Sequence, residues 1–137
     1  MKHSRHQKFR EYSELAKQSL KAGDFEKFSE AHKSIANILR MEGNYQDEIK
    51  SRILAFYFDV SGLSQMPYID SENTDAIADA AEIAGLTDDQ LSGIFFNTIK
   101  LDTAPKHSMT LVGSHKLLML CLNSKWKKAI RIVENLK

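Results

Sequence analysis

The stretch GNYQDEIKSRILAFYFD, residues 43–59, joins a tight-turn signal to an amphipathic run and indicates how this chain folds. Glycine supplies the backbone freedom that a sharp helix–helix turn needs, and the aromatic residue two positions later can pack between the two helices. Ile49, Ile53 and Phe56 then follow at helical spacing, which predicts a helix with one apolar face. Two shorter versions, GDFEKF from residue 23 and NSKWKKAIRI from residue 123, predict further turns of this kind.

The rest of the chain predicts an all-α fold, an antiparallel array of about seven helices. No segment shows the sustained alternation of a strand, and both prolines, Pro67 and Pro105, fall where the helical spacing lapses. The predicted helices span residues 4–21, 25–42, 45–60, 74–84, 87–101, a sixth from 108 or 114 to 122, and 125–137. One domain, residues 1–137, then holds a helical array at 4–62, a loop at 63–73 and a second helical half at 74–137.

Composition predicts a cytoplasmic globular protein. The hydrophobic share is 42% and the charged share 27%, which are ordinary values for a soluble domain. The longest apolar run, residues 117–122, is far shorter than the roughly 20 residues of a membrane span, and no apolar stretch follows the charged N-terminus as in a secretory signal. The single cysteine, Cys121, excludes an internal disulfide and suits a reducing compartment.

No pattern in the sequence points to catalysis, a metal or a cofactor. His3 and His6 share helical spacing but have no further ligands nearby, and the other three histidines lie at no ligand spacing, so all five are interpreted as surface or tail residues. Cys121 lies in the most apolar segment, where burial would raise the pKa of its thiol and make it unreactive. No phosphate-binding loop or nucleophile elbow occurs. An enzyme whose site is assembled only in space is the third-ranked interpretation.

Residues 31–59 resemble a tetratricopeptide repeat, and shorter matches occur at 12–28 and 117–136. In the best match, Glu48 departs from the family pattern, because it occupies a place that is nearly always small. Gly23 and Gly43 are also 20 residues apart instead of the roughly 34 of that family. The alternative is therefore an irregular helical bundle with a few such turns. The matched positions are Ile35, Ala36, Leu39, Gly43, Tyr45, Ala55 and Phe56.

The resemblance implies a groove that binds other proteins, lined by first-helix side chains. Some members of the family hold a carboxylate with a Lys and an Asn four residues apart, and Lys33 and Asn37 fall on those positions. The residues themselves agree, because Lys33, Asn37 and Arg40 share one helical face and offer donors to an acidic or carboxylate ligand. The alternative for these three residues is a polar outer face.

The predicted function is therefore a non-catalytic protein-interaction module or small assembly subunit with a protein or peptide partner. The runner-up is a nucleic-acid-associated protein that uses its basic N-terminal arm and the basic C-terminal segment around Trp126. A further possibility is that two copies of the chain associate.

Overall fold

The computed structural model describes residues 2–61, 67–99 and 111–123, and within them the fold is all-α with no strand. This confirms the all-α part of the predicted fold class. The predicted seventh helix, from residue 125, lies outside the described residues. The six helices that the structure describes are α1 (Lys2–Ala22), α2 (Phe25–Met41), α3 (Tyr45–Ser61), α4 (Ser71–Ala84), α5 (Asp88–Thr98) and α6 (Leu111–Leu122).

The first three helices are joined by the two predicted glycine turns. Gly23 and Gly43 both have φ of 75°, the left-handed conformation that ends a helix and that glycine adopts at low cost. After Gly43 the chain closes on α2, since the Asn44 N–H donates to the Leu39 carbonyl at 2.9 Å. Each turn is followed at once by the next helix, so α1 packs on α2 and α2 packs on α3.

Helix α3 lies at the centre of the described core, because it packs against α2, α4, α5 and α6. Ile49, Ile53, Phe56 and Val60, the apolar face predicted from the sequence, are all at most 3% exposed. Fully burying such side chains stabilises a fold by about 1.5–3 kcal/mol each. The opposite face of α3 is also buried and carries polar residues, which makes α3 the helix around which the candidate site is built.

Two predicted helix boundaries were wrong. Helix α4 begins at Ser71 instead of residue 74, because Asp70 accepts a hydrogen bond from the Asn73 N–H and caps the helix, so the predicted 63–73 loop is shorter. Helix α5 ends at Thr98 rather than 101, with Ile99 already extended. The sequence TDDQ, residues 87–90, predicts a capping box at the start of α5, and the structure confirms it. The Gln90 N–H donates to Thr87 Oγ1 at 3.2 Å, and the Thr87 N–H donates to Gln90 Oε1 at 2.8 Å.

Two predictions about the core were also wrong. The three- and four-residue spacing of the apolar residues of α1 predicts that Leu15 and Leu20 belong to its core face. They are 38% and 41% exposed, because α1 packs chiefly on α2 and has no helix on its other side among the described residues. The sequence LLMLCL, residues 117–122, is apolar on every side and predicts that α6 is central to its half of the core. In the structure, Val112 is 56% and Leu120 is 52% exposed. Only Ser114, Leu118 and Cys121 of its residues are buried.

Candidate functional site

Polar side chains from three consecutive helices meet in one place. On α2, Lys33, Asn37 and Arg40 recur at four- and three-residue spacing, as the sequence predicted, so they share one face. That face is turned toward the polar side of α3 and toward α4. Between α2 and α4 lies a cavity of about 450 Å³. This α2–α4 groove is lined by Lys33, Asn37, Arg52, Asp70, Glu72, Asn73, Asp75, Ala76 and Asp79.

The base of the groove rests on a buried carboxylate, Glu48. Glu48 is 0% exposed, and both of its oxygens accept short hydrogen bonds. Arg40 Nε donates to Oε1 at 2.6 Å, and Arg52 Nε donates to Oε2 at 2.7 Å. A buried charge without such partners is strongly destabilising. Two guanidinium groups from two different helices therefore satisfy both oxygens of Glu48 within the core.

The two arginines extend this arrangement to α4 and across α2. Arg40 Nη2 donates to the Ala76 carbonyl at 2.8 Å, and Arg52 Nη2 donates to Asn37 Oδ1 at 2.9 Å. Asn73 Nδ2 donates in turn to the Arg52 carbonyl at 3.0 Å. We call Arg40, Glu48, Arg52, Asn37 and Asn73 the Glu48 network. It joins α2, α3 and α4 by hydrogen bonds that are directional and, in part, charge-assisted.

Lys33 forms a second ionic centre at one end of the groove. Its Nζ lies 2.9 Å from Asp59 Oδ2 and 2.8 Å from Asp70 Oδ2, and it donates to Tyr68 Oη at 3.3 Å. Burial acts to lower the pKa of Lys33, but the hydrogen bonds to Asp70 and Asp59 outweigh it and raise that pKa. For Asp70, burial likewise opposes the change, and the Lys33 contact lowers its pKa. The ion pairs of Lys33 therefore connect α2 to α3, through Asp59, and to the start of α4, through Asp70.

The side of the groove formed by α4 is rich in carboxylates. Glu72, Asp75 and Asp79 recur at three- and four-residue spacing on α4 and are exposed. Around the groove and beneath it lie three cations, Lys33, Arg40 and Arg52. Six carboxylates accompany them, so the region carries three more negative than positive charges; they are Glu48, Asp59, Asp70, Glu72, Asp75 and Asp79. Such a surface favours a cationic ligand.

The three residues predicted to bind a carboxylate are thus brought together, but all three already contact groups of this chain. Lys33 is paired with two aspartates, Asn37 accepts from Arg52, and Arg40 is paired with Glu48. The alternative prediction is that these three residues form a polar outer face. Only Asn37 fits it, because Lys33 and Arg40 are partly buried. Binding of an acidic ligand by these residues stays a prediction, and it would require competition with the internal carboxylates.

Sequence reasoning did not assign Glu48, Arg52, Asp59 and Asn73 to the site. One signal was visible: Glu48 stands where the resembled family has a small residue, and Arg52 follows it at four-residue spacing. An acid at a position that is usually small, with a base one turn later, indicates a buried ion pair. Asp59 and Asn73 carried no such local signal.

Two histidines differ from the prediction that all are surface or tail residues. His32 is largely buried, with its ring centroid 4.6 Å from that of Phe28, and burial lowers its pKa from 6.5 to about 4. His115 Nε2 lies 2.8 Å from Ser92 Oγ, beside the Phe95 and Phe96 rings, and burial lowers its pKa as well. Both imidazoles are therefore neutral at pH 7.

The Ser92–His115 pair has the spacing of a nucleophile and its base, but it lacks the other parts of a hydrolytic site. In the part of the chain that the structure describes, no carboxylate forms an ion pair or hydrogen bond with His115, so nothing orients the imidazole as in a catalytic triad. Ser92 also lies within a regular helix, α5, whose amides are directed along the helix and not toward a developing oxyanion. We therefore place no reaction at this pair.

Two further site classes were sought in the same residues. Across residues 2–61, 67–99 and 111–123, no group of three or more His, Cys, Asp or Glu side chains is arranged to hold a metal ion. None of the described helices combines the length and apolar character needed to cross a bilayer. For the nucleic-acid alternative, Lys8 and Arg10 are exposed on α1, while the basic segment around Trp126 lies outside the described residues. That alternative stays a prediction.

Comparisons with protein-family models, with curated proteins and with solved structures give no match to this chain.

Proposed function

We propose that this protein is a non-catalytic interaction module that receives a basic segment of a partner protein in the α2–α4 groove. The observation that carries the proposal is the charge of this groove. A cavity of about 450 Å³ is lined on its α4 side by exposed carboxylates, while the three cations Lys33, Arg40 and Arg52 are each already paired with Glu48, Asp59 or Asp70. A Lys or Arg side chain entering the groove would make charge-assisted hydrogen bonds to the exposed carboxylates of α4.

The fixed base of the groove supports a role in recognition. The Glu48 network ties α2, α3 and α4 together through Arg40 and Arg52, and Lys33 adds a second tie at the start of α4. A binding surface whose walls are held in place loses little conformational entropy when a partner binds. The polar residues at the base therefore act by positioning the α4 carboxylates rather than by touching the partner.

We further propose that α2 and α3 form a tetratricopeptide-like pair, with α1 as a third helix of the same array. The support is the turn between them, in which Gly43 is left-handed and Tyr45 begins α3 beside Arg40. Because Gly23 and Gly43 are only 20 residues apart, α2 is the second helix of one pair and the first helix of the next. In this arrangement, the buried Glu48 stands where the family has a small residue, and the side chains of Arg40 and Arg52 pack against its carboxylate.

The test uses two labelled peptides of equal length, one rich in Lys and Arg and one rich in Asp and Glu. Fluorescence polarisation at low and high salt measures their binding to the full chain. We expect the basic peptide to bind and the binding to weaken with salt, because exposed charges are screened within about 10 Å at 0.1 M. Binding of the acidic peptide alone would contradict the proposal and would support the carboxylate-clamp prediction for Lys33, Asn37 and Arg40.

A pair of charge-matched variants makes the test specific to the groove. Glu72→Gln with Asp79→Asn removes two groove carboxylates, and we expect it to weaken binding of the basic peptide by about tenfold, which corresponds to about 1.4 kcal/mol. Glu11→Gln with Glu14→Gln removes two exposed carboxylates from α1 and should leave binding within about twofold. Equal weakening by both pairs would show a general charge effect and would exclude the groove as the site.

A further inference from the structure

The acidic side of the α2–α4 groove continues into an exposed apolar residue of the same helix. Glu72, Ala76 and Asp79 line the groove and recur on α4 at four- and three-residue spacing. Ile83 follows Asp79 after four more residues, so it lies on the same face of α4, about one helical turn further along. Ile83 is 57% exposed. The face of α4 that borders the groove therefore changes from acidic to apolar toward the C-terminal end of the helix.

Helix α2 shows the same change at the same end of the groove. Lys33 of α2 contacts Asp70, the residue that caps the start of α4. Arg40, further along α2, contacts the carbonyl of Ala76, further along α4. Because both members of these contacts advance along the chain, α2 and α4 run in the same direction and end at the same end of the groove. Met41, the last residue of α2, is 61% exposed there.

The opposite end of the groove is organised around a cation of the chain itself. Tyr68 and Ile69 are exposed at that end, beside Lys33. The Lys33 ammonium lies 5.5 Å from the centroid of the Tyr68 ring and is paired with Asp70. A cation from a partner is therefore favoured further along α4, next to the exposed carboxylate of Asp79 and closer to the apolar end.

We propose that the basic segment received by the groove carries a large apolar residue two positions after its last Lys or Arg, and that this residue packs on Ile83 and Met41. The inference rests on the proposed function of the groove and adds a second residue type that the partner must have. Asp79 and Ile83 are four residues apart, which is about 6 Å along the helix axis. An extended peptide advances about 3.3 Å per residue, so two residues cover this distance.

An apolar contact gives the groove a source of affinity that salt does not screen. Exposed ion pairs are individually weak, and salt weakens them further. Burial of an apolar side chain is not screened in this way, and buried apolar anchors carry much of the binding energy of protein interfaces. The α4 carboxylates therefore select a positive charge, while Ile83 and Met41 select among basic segments by the residue that follows the charge.

Two labelled peptides of equal length and equal charge test the proposal. Both carry three lysines at alternate positions, and two positions after the last lysine one peptide has Leu and the other has Ser. In fluorescence polarisation with the full chain at low salt, we expect the Leu peptide to bind about tenfold more tightly than the Ser peptide. At high salt both peptides should bind more weakly, but the ratio of their dissociation constants should stay the same.

A matched pair of variants locates the apolar contact. Ile83→Ser should reduce the preference for the Leu peptide to about twofold or less and should leave the affinity for the Ser peptide within about twofold. Val112→Ser is the control, because Val112 is 56% exposed, nearly the same as Ile83, but belongs to α6, which does not line the groove. It should keep the full preference. Circular dichroism of each variant verifies that the helices are folded.

The outcomes separate this inference from the proposed function. Equal binding of the two peptides, or a preference that Ile83→Ser leaves unchanged, would overturn the apolar contact while the acidic groove remains the binding site. Binding of neither peptide would overturn the proposed function and this inference together. Dimers in sedimentation velocity that Ile83→Ser dissociates would assign Ile83 and Met41 to a second copy of the chain and would also overturn the inference.

Discussion

Arg40 Nε donates to Glu48 Oε1 at 2.6 Å, although Arg40 is on α2 and Glu48 is a fully buried residue of α3. The contact spans the glycine turn at residue 43, so the turn that the sequence predicts also brings together the charges that support the groove. Arg52, one helical turn beyond Glu48, binds the other oxygen of the same carboxylate. A single acid in the core thereby orients two arginines from neighbouring helices.

Replacing Glu48 by Gln should strongly destabilise the fold. The change leaves Arg52, which is only 6% exposed, without its counter-charge. Removal of one partner of a buried ion pair costs about 3–5 kcal/mol. Urea unfolding followed by circular dichroism measures the free energy of unfolding. Glu30→Gln, the same change at an exposed position of α2, is the control and should alter that free energy by less than about 0.5 kcal/mol. Similar losses in the two variants would mean that the Glu48 network does not stabilise the fold.

Replacing Lys33 by Met should loosen the start of α4. Asp59, 1% exposed, would lose its ion pair with Lys33. The Lys33 contacts with Tyr68 and Asp70 would be lost as well, next to the hydrogen bond from the Tyr68 N–H to the Asp59 carbonyl. We expect a destabilisation of about 3 kcal/mol or more. Because the pKa of Lys33 is raised, its contribution is fully present at neutral pH and is lost only as the pH rises through that raised pKa.

Hydrogen exchange locates this effect. In Lys33→Met, the amides of Tyr68 and Thr74 should exchange faster than in the unaltered chain, relative to amides of α1. Lys27→Met is the matched control, since the Lys27 side chain is 65% exposed on the same helix. Uniform acceleration over all helices would argue that Lys33 supports global stability and does not specifically hold α4.

Acidification should destabilise the protein through His32. Its pKa is about 4 in the folded chain and 6.5 when unperturbed, so the unfolded state binds the proton more readily. The stability is therefore full above pH 6.5 and falls as the pH drops toward 4, by about 3 kcal/mol in total. Asp70, whose pKa is lowered from 3.8, affects stability only at more acid pH and with the same sign.

His32→Leu should reduce the difference in unfolding free energy between pH 7 and pH 4.5. It does not abolish that difference, because the lowered pKa of His115 acts in the same direction. His6→Gln, which removes an imidazole at an exposed position of α1, is the control variant. If His32→Leu retains the whole dependence, the burial of His32 is not its source.

The elements with local signals were predictable from the sequence. The turns at Gly23 and Gly43, the cap at Gly85 and the capping box at Thr87 each depend on a few neighbouring residues, so the chain alone specifies them. The apolar face of α3 was equally visible as a three- and four-residue repeat. Exposure was less predictable for α1 and α6, since it depends on how many helices pack around each one and not on the helix itself.

The polar network was only half predictable, for a related reason. Spacing predicted that Lys33, Asn37 and Arg40 share a face of α2. Lys33 and Asn37 line the groove, and Arg40 reaches Glu48 and the Ala76 carbonyl of α4. Spacing cannot show which helix that face meets. The partners of Lys33 and Arg40 include Asp59, Asp70 and Ala76, which are 26 to 37 residues away in the chain. Which residues become these partners depends on tertiary packing. The net charge of the groove therefore depends on tertiary packing as well.

The same substitution, Gly→Ala, should have opposite effects at Gly43 and Gly93. Gly43 has φ of 75°, a conformation that costs an L-residue roughly 1–2 kcal/mol, although a Cβ there would meet no atom within 4 Å. Gly93 lies within α5, and a Cβ there also meets nothing within 4 Å, so Gly93→Ala should stabilise the protein by about 0.5–1 kcal/mol. Unfolding midpoints in urea measure both. Because a Cβ meets no atom at either site, the difference in stability between the two variants measures the cost of the left-handed backbone at residue 43. A stabilised Gly43→Ala variant would mean that this turn is not left-handed in solution and that the α2–α3 pair is joined in another way.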